Sequence, residues 1–372
     1  MAKTDLNTEP AMAAFLRSLP AGLISLHSSH PAPLTAAQLT ELIDFKPAQL
    51  PHILSQDYAP MAGSEELRQA IADAHYTSTQ ADHILTTCGA QEALFVTMQA
   101  LLNKGDQVVC LTPVFEPLTL QAKMAGAQVS TVSLLPDQQW AIDWPALKKV
   151  VNKKTRLLII NFPHNPTGKH ITEQELNRLL ELCRQHDCWL LSDEVFRGLE
   201  HQSGRRLPAA VDLYDKAISI AVMSKAYGMP AIRLGWIACR HPHLRQRMLT
   251  VKRHISICGS RLDENVAIQI LPHSETIFNH HRGQLNHNRS FLADCLPQLP
   301  HLRCHPPEAG ATCFARLNTQ QTLTGQVFAE QLAQQQGLLV YPDTCFVTDI
   351  PGFRLSIADA AIAEHYPLLK TD

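Results

Sequence analysis

The sequence has no C-x-x-C pair among its ten cysteines, no basic excess, its formal charge being -2, and no apolar run approaching the ~20 residues of a membrane span. Each absence removes a class of function. A near-neutral chain carries no electrostatic footprint for nucleic acid, and without a long apolar run no partnership with a membrane is expected. Cys110, Cys183, Cys188, Cys239 and Cys258 lie within apolar or helical patterns, so they read as buried reduced thiols and not as a disulfide framework. The start, residues 1–10, is polar and acidic and lacks the charged-then-apolar layout of a signal peptide. A cytoplasmic protein is expected. No metal is expected either. Among the nineteen histidines, those in Phe278–His287 have no cysteine or carboxylate recurring at ligand spacing, and the polar face of a surface helix accounts for them. Arg205 and Arg206 read as a solvated charge cluster in a polar loop.

What is present is material for a large core. At 372 residues and 45% hydrophobic content the chain exceeds the roughly 250–300 residues at which single cores stop growing, so more than one domain is expected. From about residue 64 helical and strand-like segments alternate. Ser64 can cap a helix beginning at Glu65, with Leu67, Ala70 and Ile71 on one face, and Thr172-Glu173-Gln174-Glu175 is a capping box. Strands are expected at 83–87, 107–111, 129–132, 156–160 and 188–191, and again at the run Ala217–Val222. Continuous apolar strands separated by helices imply an α/β fold with a mostly parallel central sheet and helices on both faces. Residues 41–269 are expected to form this large domain. Residues 1–40 and 270–372, with strands near 312–316 and 353–356, are expected to form a smaller α+β domain.

Ligands in such sheets collect at the carboxyl ends of the strands. Asn165, Asp193 and Lys225 each follow a strand there. A lysine at the end of a buried strand is desolvated, which frees its amine to attack carbonyl carbon, so the chain reads as a Schiff-base enzyme. A pyridoxal phosphate (PLP) site needs such a lysine, a carboxylate for the pyridine nitrogen, and backbone N–H groups at a helix start with a basic side chain for the phosphate. Lys225, Asp193, the Gly89-Ala90-Gln91 turn and Arg233 supply those parts.

The order and spacing of these residues resemble the class I/II aminotransferases of PLP fold type I, over nearly the whole chain from Tyr58 to Arg354. The resemblance implies further roles. Asn165, in Asn165-Pro166-Thr167-Gly168, would donate to the cofactor O3′. His164 would support Asp193, Phe115 would stack on the ring, and Ser224 would add a phosphate contact. Tyr58 would reach the phosphate of a neighbouring subunit, making a homodimer with a shared active site, and Arg354 would clamp the substrate α-carboxylate as a bidentate pair. Lys225 would then move a proton from Cα. An L-amino acid and a 2-oxo acid are the substrates this implies.

Two departures from the family pattern stand out. The stretch Leu26-His27-Ser28-Ser29-His30-Pro31 replaces a glycine-rich substrate loop, and Phe196 replaces a tyrosine in Asp-x-x-Tyr that would be a second donor to O3′. Without that donor, O3′ holds the proton of the Lys225 nitrogen more tightly. The pH midpoint of the bound cofactor's visible band is therefore expected to be higher than in relatives with the tyrosine. A spectral pH titration of Phe196→Tyr should show a lower midpoint, and an unchanged or higher one would reject the reasoning. The motifs Asn161–Gly168, Asp193–Glu200 and Ile255–Cys258 resemble the branch containing capreomycidine synthase. That leaves a lyase, cyclase or oxidase acting on an arginine-like amino acid as an alternative to transamination, and a catalytically silent binding or regulatory protein as a third.

Overall fold

Apolar runs pair into sheets here because their backbones can be satisfied only by each other once their side chains leave water. The computed structural model describes residues 9–46, 57–318, 324–359 and 361–369, so the polar start at residues 1–8 lies outside the described residues. A short first strand, β1 (Ile24–Ser25), precedes the central sheet of β2 (Ile84–Thr87), β3 (Gln107–Thr112), β4 (Gln128–Ser133), β5 (Thr155–Asn161), β6 (Trp189–Asp193), β7 (Ala217–Val222) and β8 (Gly235–Cys239). Their spatial order is β2-β8-β7-β6-β5-β3-β4. Strands β4, β3, β5, β6 and β7 run parallel, and β8 is antiparallel to both β7 and β2. The sheet is thus mostly parallel, as expected.

Alternate residues of the buried strands feed separate cores. Leu157 and Ile159 of β5 pack with Val108, Cys110, Leu191 and Ile220 on one face, while Leu158 and Ile160 pack with Val109, Leu111 and Leu190 on the other. Both faces being covered explains why these strands read as unbroken apolar runs. Edge strand β4 buries only Val132, which is why its sequence is mixed. Helices meet the sheet with the expected caps. Ser64 Oγ accepts from Leu67 N at 3.4 Å, and Leu67 and Ile71 of that helix are buried. Thr172 and Glu175 exchange bonds of 3.2 and 2.8 Å at the start of Glu173–His186. Each such cap contributes ~1 kcal/mol.

Later strands form a second, antiparallel sheet. Strands β9 (Leu302–Arg303), β10 (Thr312–Leu317), β12 (Tyr341–Pro342) and β13 (Gly352–Ser356) lie in the order β12-β13-β10-β9, and β11 (Leu338–Leu339) pairs in parallel with β1. Leu26 continues this link, donating to Leu339 O at 2.9 Å and accepting from Ser356 N at 3.0 Å. The segment ahead of residue 30 is therefore stitched to strands near the other end of the chain.

Two surface expectations need correction. His280 and His287 of the helix Ser274–Cys295 are exposed, but His281 is buried with its ring nitrogen 3.1 Å from Tyr227 O, because it faces the core and not solvent. Arg206 is not a freely solvated charge: it pairs with Glu275 and with buried Glu200, and its guanidinium lies 5.3 Å from the Phe278 ring. None of the described cysteines forms a disulfide, and no described helix is long and apolar enough to cross a membrane. Among the described residues, no three His, Cys, Asp or Glu side chains are grouped to hold a metal ion.

Candidate active site

Because β2, β5, β6 and β7 run the same way, their carboxyl ends open onto one edge of the sheet. Asp193 closes β6, Asn165 lies four residues after β5, and Lys225 lies three after β7. All three line one cavity of about 650 Å³, together with Ala90, Gln91, Phe115, Phe196 and Arg354. The 26–33 stretch forms the facing wall through His27, Ser28, Ser29, His30, Ala32 and Pro33, and Tyr341 and Asp359 also contribute.

Burial sets the protonation of these groups. Lys225 has its pKa lowered to about 8, first by desolvation and then by the charge of Arg354. Its amine is consequently deprotonated to a large extent under mildly basic conditions, as a nucleophile requires. Its Nζ donates to Ser29 Oγ at 2.6 Å and stands 5.8 Å from the centre of the Phe196 ring. Asp193 is raised to about 7, again mainly by desolvation, with Val195 N at 3.3 Å only partly offsetting it. His27 is pushed down to about 4 and His30 below its ordinary value, both chiefly by burial, so both imidazoles are neutral near neutral pH.

The Asp193 shift is also a statement about stability. A carboxyl whose pKa rises from 3.8 unfolded to about 7 folded leaves stability intact below pH 3.8, erodes it as the pH climbs, and exerts its full penalty above about 7. Cofactor-free Asp193→Asn protein is therefore expected to be more stable than wild type at pH 8, by roughly 2–4 kcal/mol, with the gap closing near pH 4. Denaturant titrations at the two pH values check this; a variant that is less stable at pH 8 would refute it.

Arg354, on β13, is buried and has its pKa lowered to about 10 by desolvation. Nη1 donates to Asn165 Oδ1 at 2.9 Å, Nη2 donates to His27 O, and the guanidinium lies between the Tyr341 and Phe346 rings at 5.3 and 5.2 Å. Its Nε has no partner. An unpartnered buried donor is costly, so this nitrogen suits a ligand acceptor. With Asn165 Oδ1 occupied, the Asn165 amide N–H groups are the ones left for a ligand oxygen. Asn161 braces this arrangement, accepting from Asn165 N and donating to Asp193 O, each at 2.9 Å.

A cradle of backbone donors adjoins the cavity. The helix Gly89–Leu101 begins without a side-chain cap, leaving its first N–H groups for an external acceptor. Gly89 has φ +77°, and a Cβ there would stand 2.6 Å from Arg233 Nη2; a Cβ at Gly235 would stand 2.7 Å from the Gly89 carbonyl carbon. Glycine at both positions keeps the cradle open beside Arg233. This donor set fits the phosphate of pyridoxal phosphate.

Several predicted residues stand off the cavity wall. Gly89 and Arg233 flank the helix start, and Ser224 does not line the cavity. Tyr58 is 83% exposed, held through its carbonyl by Arg261 Nη2 at 3.0 Å. His164 bonds Thr167 Oγ1 at 2.8 Å, so the described partner of this imidazole is Thr167 and the bond to the Asp193 backbone comes from Asn161. The residues that sequence reasoning gave no role are Asn161, Ser29, His27, Tyr341 and Asp359. Ser29 and His27 lie 196 and 327 residues from the cations they touch, a separation at which no local pattern signals contact.

The fold is that of pyridoxal-phosphate-dependent aminotransferases. The structure of such an enzyme from Streptococcus suis superposes with a TM-score of 0.89 over 99% of this chain and 97% of that one, at 25% identity. A PLP-dependent cyclase superposes with a TM-score of 0.87 over 97% and 96%, also at 25% identity. The sequence profile for aminotransferase class I and II matches residues 26–366, and the chain belongs to that family. Its cofactor is pyridoxal phosphate. Relatives include capreomycidine synthase of Streptomyces vinaceus, 31% identical over 80% of this chain and 75% of that protein. Another is an arginine–pyruvate transaminase of Pseudomonas aeruginosa, 28% identical over 85% and 79%.

Proposed function

We propose that the protein is an aminotransferase that moves the amino group of an L-amino acid to a 2-oxo acid, with Lys225 as nucleophile and proton carrier. The observation that carries this reading is the convergence of Lys225, Asp193, Asn165 and Arg354 on one cavity. When bound, pyridoxal phosphate supplies a carbonyl carbon for amines and a ring that accepts the electron pair left at Cα. Asp193 holds the ring nitrogen protonated, and the cation beside it offsets the desolvation that otherwise keeps this carboxyl protonated. Asn165 donates to O3′, Phe115 covers one ring face, and Ala90 and Gln91 with Arg233 hold the phosphate. Lys225, once deprotonated, takes the Cα proton and returns it to a neighbouring carbon. Arg354 receives the α-carboxylate: Nε is unclaimed, and a charged carboxylate outcompetes the neutral His27 carbonyl for Nη2. Exposed Tyr58 completes the site of a second copy in a homodimer.

A second reading, cyclisation or elimination on an arginine-like amino acid, is favoured by the capreomycidine synthase relative and the cyclase structure, and by Phe196 beside Lys225. Visible spectra of the purified protein separate the two. The test is a panel of amino acids including arginine and hydroxylated analogues, followed by 2-oxo acids. Loss of the visible band and its return on adding a 2-oxo acid is the expected result. Turnover with the band never lost to an amino-acceptor-dependent form would assign the second reading.

A further inference from the structure

The facing wall of the cavity offers Lys225 something the family resemblance did not supply: a buried hydroxyl in direct contact with its amine. Ser29 is only 6% exposed, and its Oγ accepts from Nζ at 2.6 Å. The serine is also held in place. Three residues earlier, Leu26 is bonded on both sides, donating to Leu339 O and accepting from Ser356 N, and neither bond involves a group that substrate would claim. Lys225 has a long flexible stem and repulsive neighbours, since Arg354 and Arg233 both disfavour its charge while Asp193 favours it. The ring facing it, Phe196, carries no hydroxyl.

We propose that Ser29 is a positioning residue for Lys225, holding the ε-amine whenever it is free, fixing it at one place beside the cavity and favouring its protonated form. The inference rests on Lys225 being the amine that carries the cofactor. A hydroxyl oxygen is a better partner for an ammonium than for an amine, because the donor's charge strengthens the bond. Ser29 therefore opposes the burial and like-charge repulsion that drive the proton off. The amine that has just taken a proton from substrate is thus kept within reach of the atoms to which it must return it, instead of swinging away along its stem. No electron or group transfer by the serine is involved; its hydroxyl accepts a hydrogen bond from Nζ–H and nothing else changes bonding.

The test follows the reloading of full-length protein, freed of its cofactor, with pyridoxal phosphate, read as growth of the visible band between pH 6 and 9.5. Only the neutral amine attacks, so the midpoint of the rate against pH reports the Lys225 amine. In Ser29→Ala the midpoint is expected to fall by about one pH unit, and Ser29→Thr is expected to restore it. Ser29→Cys, a similar volume with a weaker acceptor, is expected to fall between them and serves as the test if the alanine variant does not fold. An alanine or cysteine midpoint equal to wild type, or a threonine midpoint displaced as far as that of alanine, would overturn the proposal. Lys225→Ala serves as the control. If it also forms the band, the assignment of Lys225 fails; if the band requires Lys225 while the Ser29 variants keep the wild-type midpoint, the role of Ser29 alone fails.

Discussion

Lys225→Ala protein is expected to fold, to bind pyridoxal phosphate without a covalent bond, and to lose turnover by a factor on the order of 10⁴ or more. The size of the loss follows from the two roles proposed for the lysine, as the amine that attacks carbonyl carbon and as the group that moves the proton. No other described amine lines the cavity. The fold should survive because the removed side chain forms a single hydrogen bond, to Ser29, and because its charge is disfavoured where it sits, with a pKa lowered to about 8. Borohydride reduction followed by digestion and peptide mass mapping gives the decisive readout. Wild type should gain one cofactor mass on the peptide containing Lys225, and the variant none. A variant that still traps the cofactor covalently would place the reactive amine elsewhere. The pH dependence has a fixed sign: reloading of the wild type should quicken as the pH rises through about 8, because deprotonation creates the nucleophile.

Arg354→Ala is expected to lower kcat/KM for α-amino acids by about 10²–10⁴-fold, the range spanned by losing a buried charged hydrogen-bond partner of a carboxylate. Truncation also disturbs the site, since Asn165 and the His27 carbonyl both lose their donor. A comparison of substrates removes this ambiguity. For the decarboxylated amine corresponding to the preferred amino acid, wild type and variant should react at similar rates, because neither has a carboxylate to recognise. Structural damage would slow both substrates alike. Arg354→Lys should recover only a fraction of the loss, as a point charge lacks the fork that meets two oxygens.

How much of this was legible in sequence depended on the distance over which the relevant physics acts. The run Ala217–Val222 is read as a strand and is one, because five of its six residues are apolar and the central sheet buries them all. The caps at Ser64 and Thr172 were equally legible, since both depend on residues three apart. Motif residues Asn165, Asp193 and Lys225 reach one cavity because parallel strands put their ends on one side. By contrast, the burial of His281 depends on a helix face packing over Gly228, where a Cβ would stand 2.8 Å from its Nε2, and nothing within the histidine-rich stretch announces this. Arg206 likewise owes its partners to Glu275, 69 residues away. The contact of Ser29 with Lys225 falls in the same class. In sequence the loop differs from the family pattern only by the glycines it lacks, whereas its contact with Lys225 depends on pairings between segments more than 300 residues apart.

The stitching of β1 to β11 and of Leu26 to Ser356 bears on how the protein is made. Residues 24–29 leave the ribosome more than 300 residues before the strands that hold them. The central sheet has all its strands by residue 239 and can assemble while the chain is still growing, whereas the wall bearing His27 and Ser29 must wait for β11 and β13. Pairings so remote in sequence form slowly, because the entropy of closing the loop is lost before any contact compensates. Until then Leu26 lacks the strands that bury it, and deleting residues 24–30 would remove a wall of the cavity.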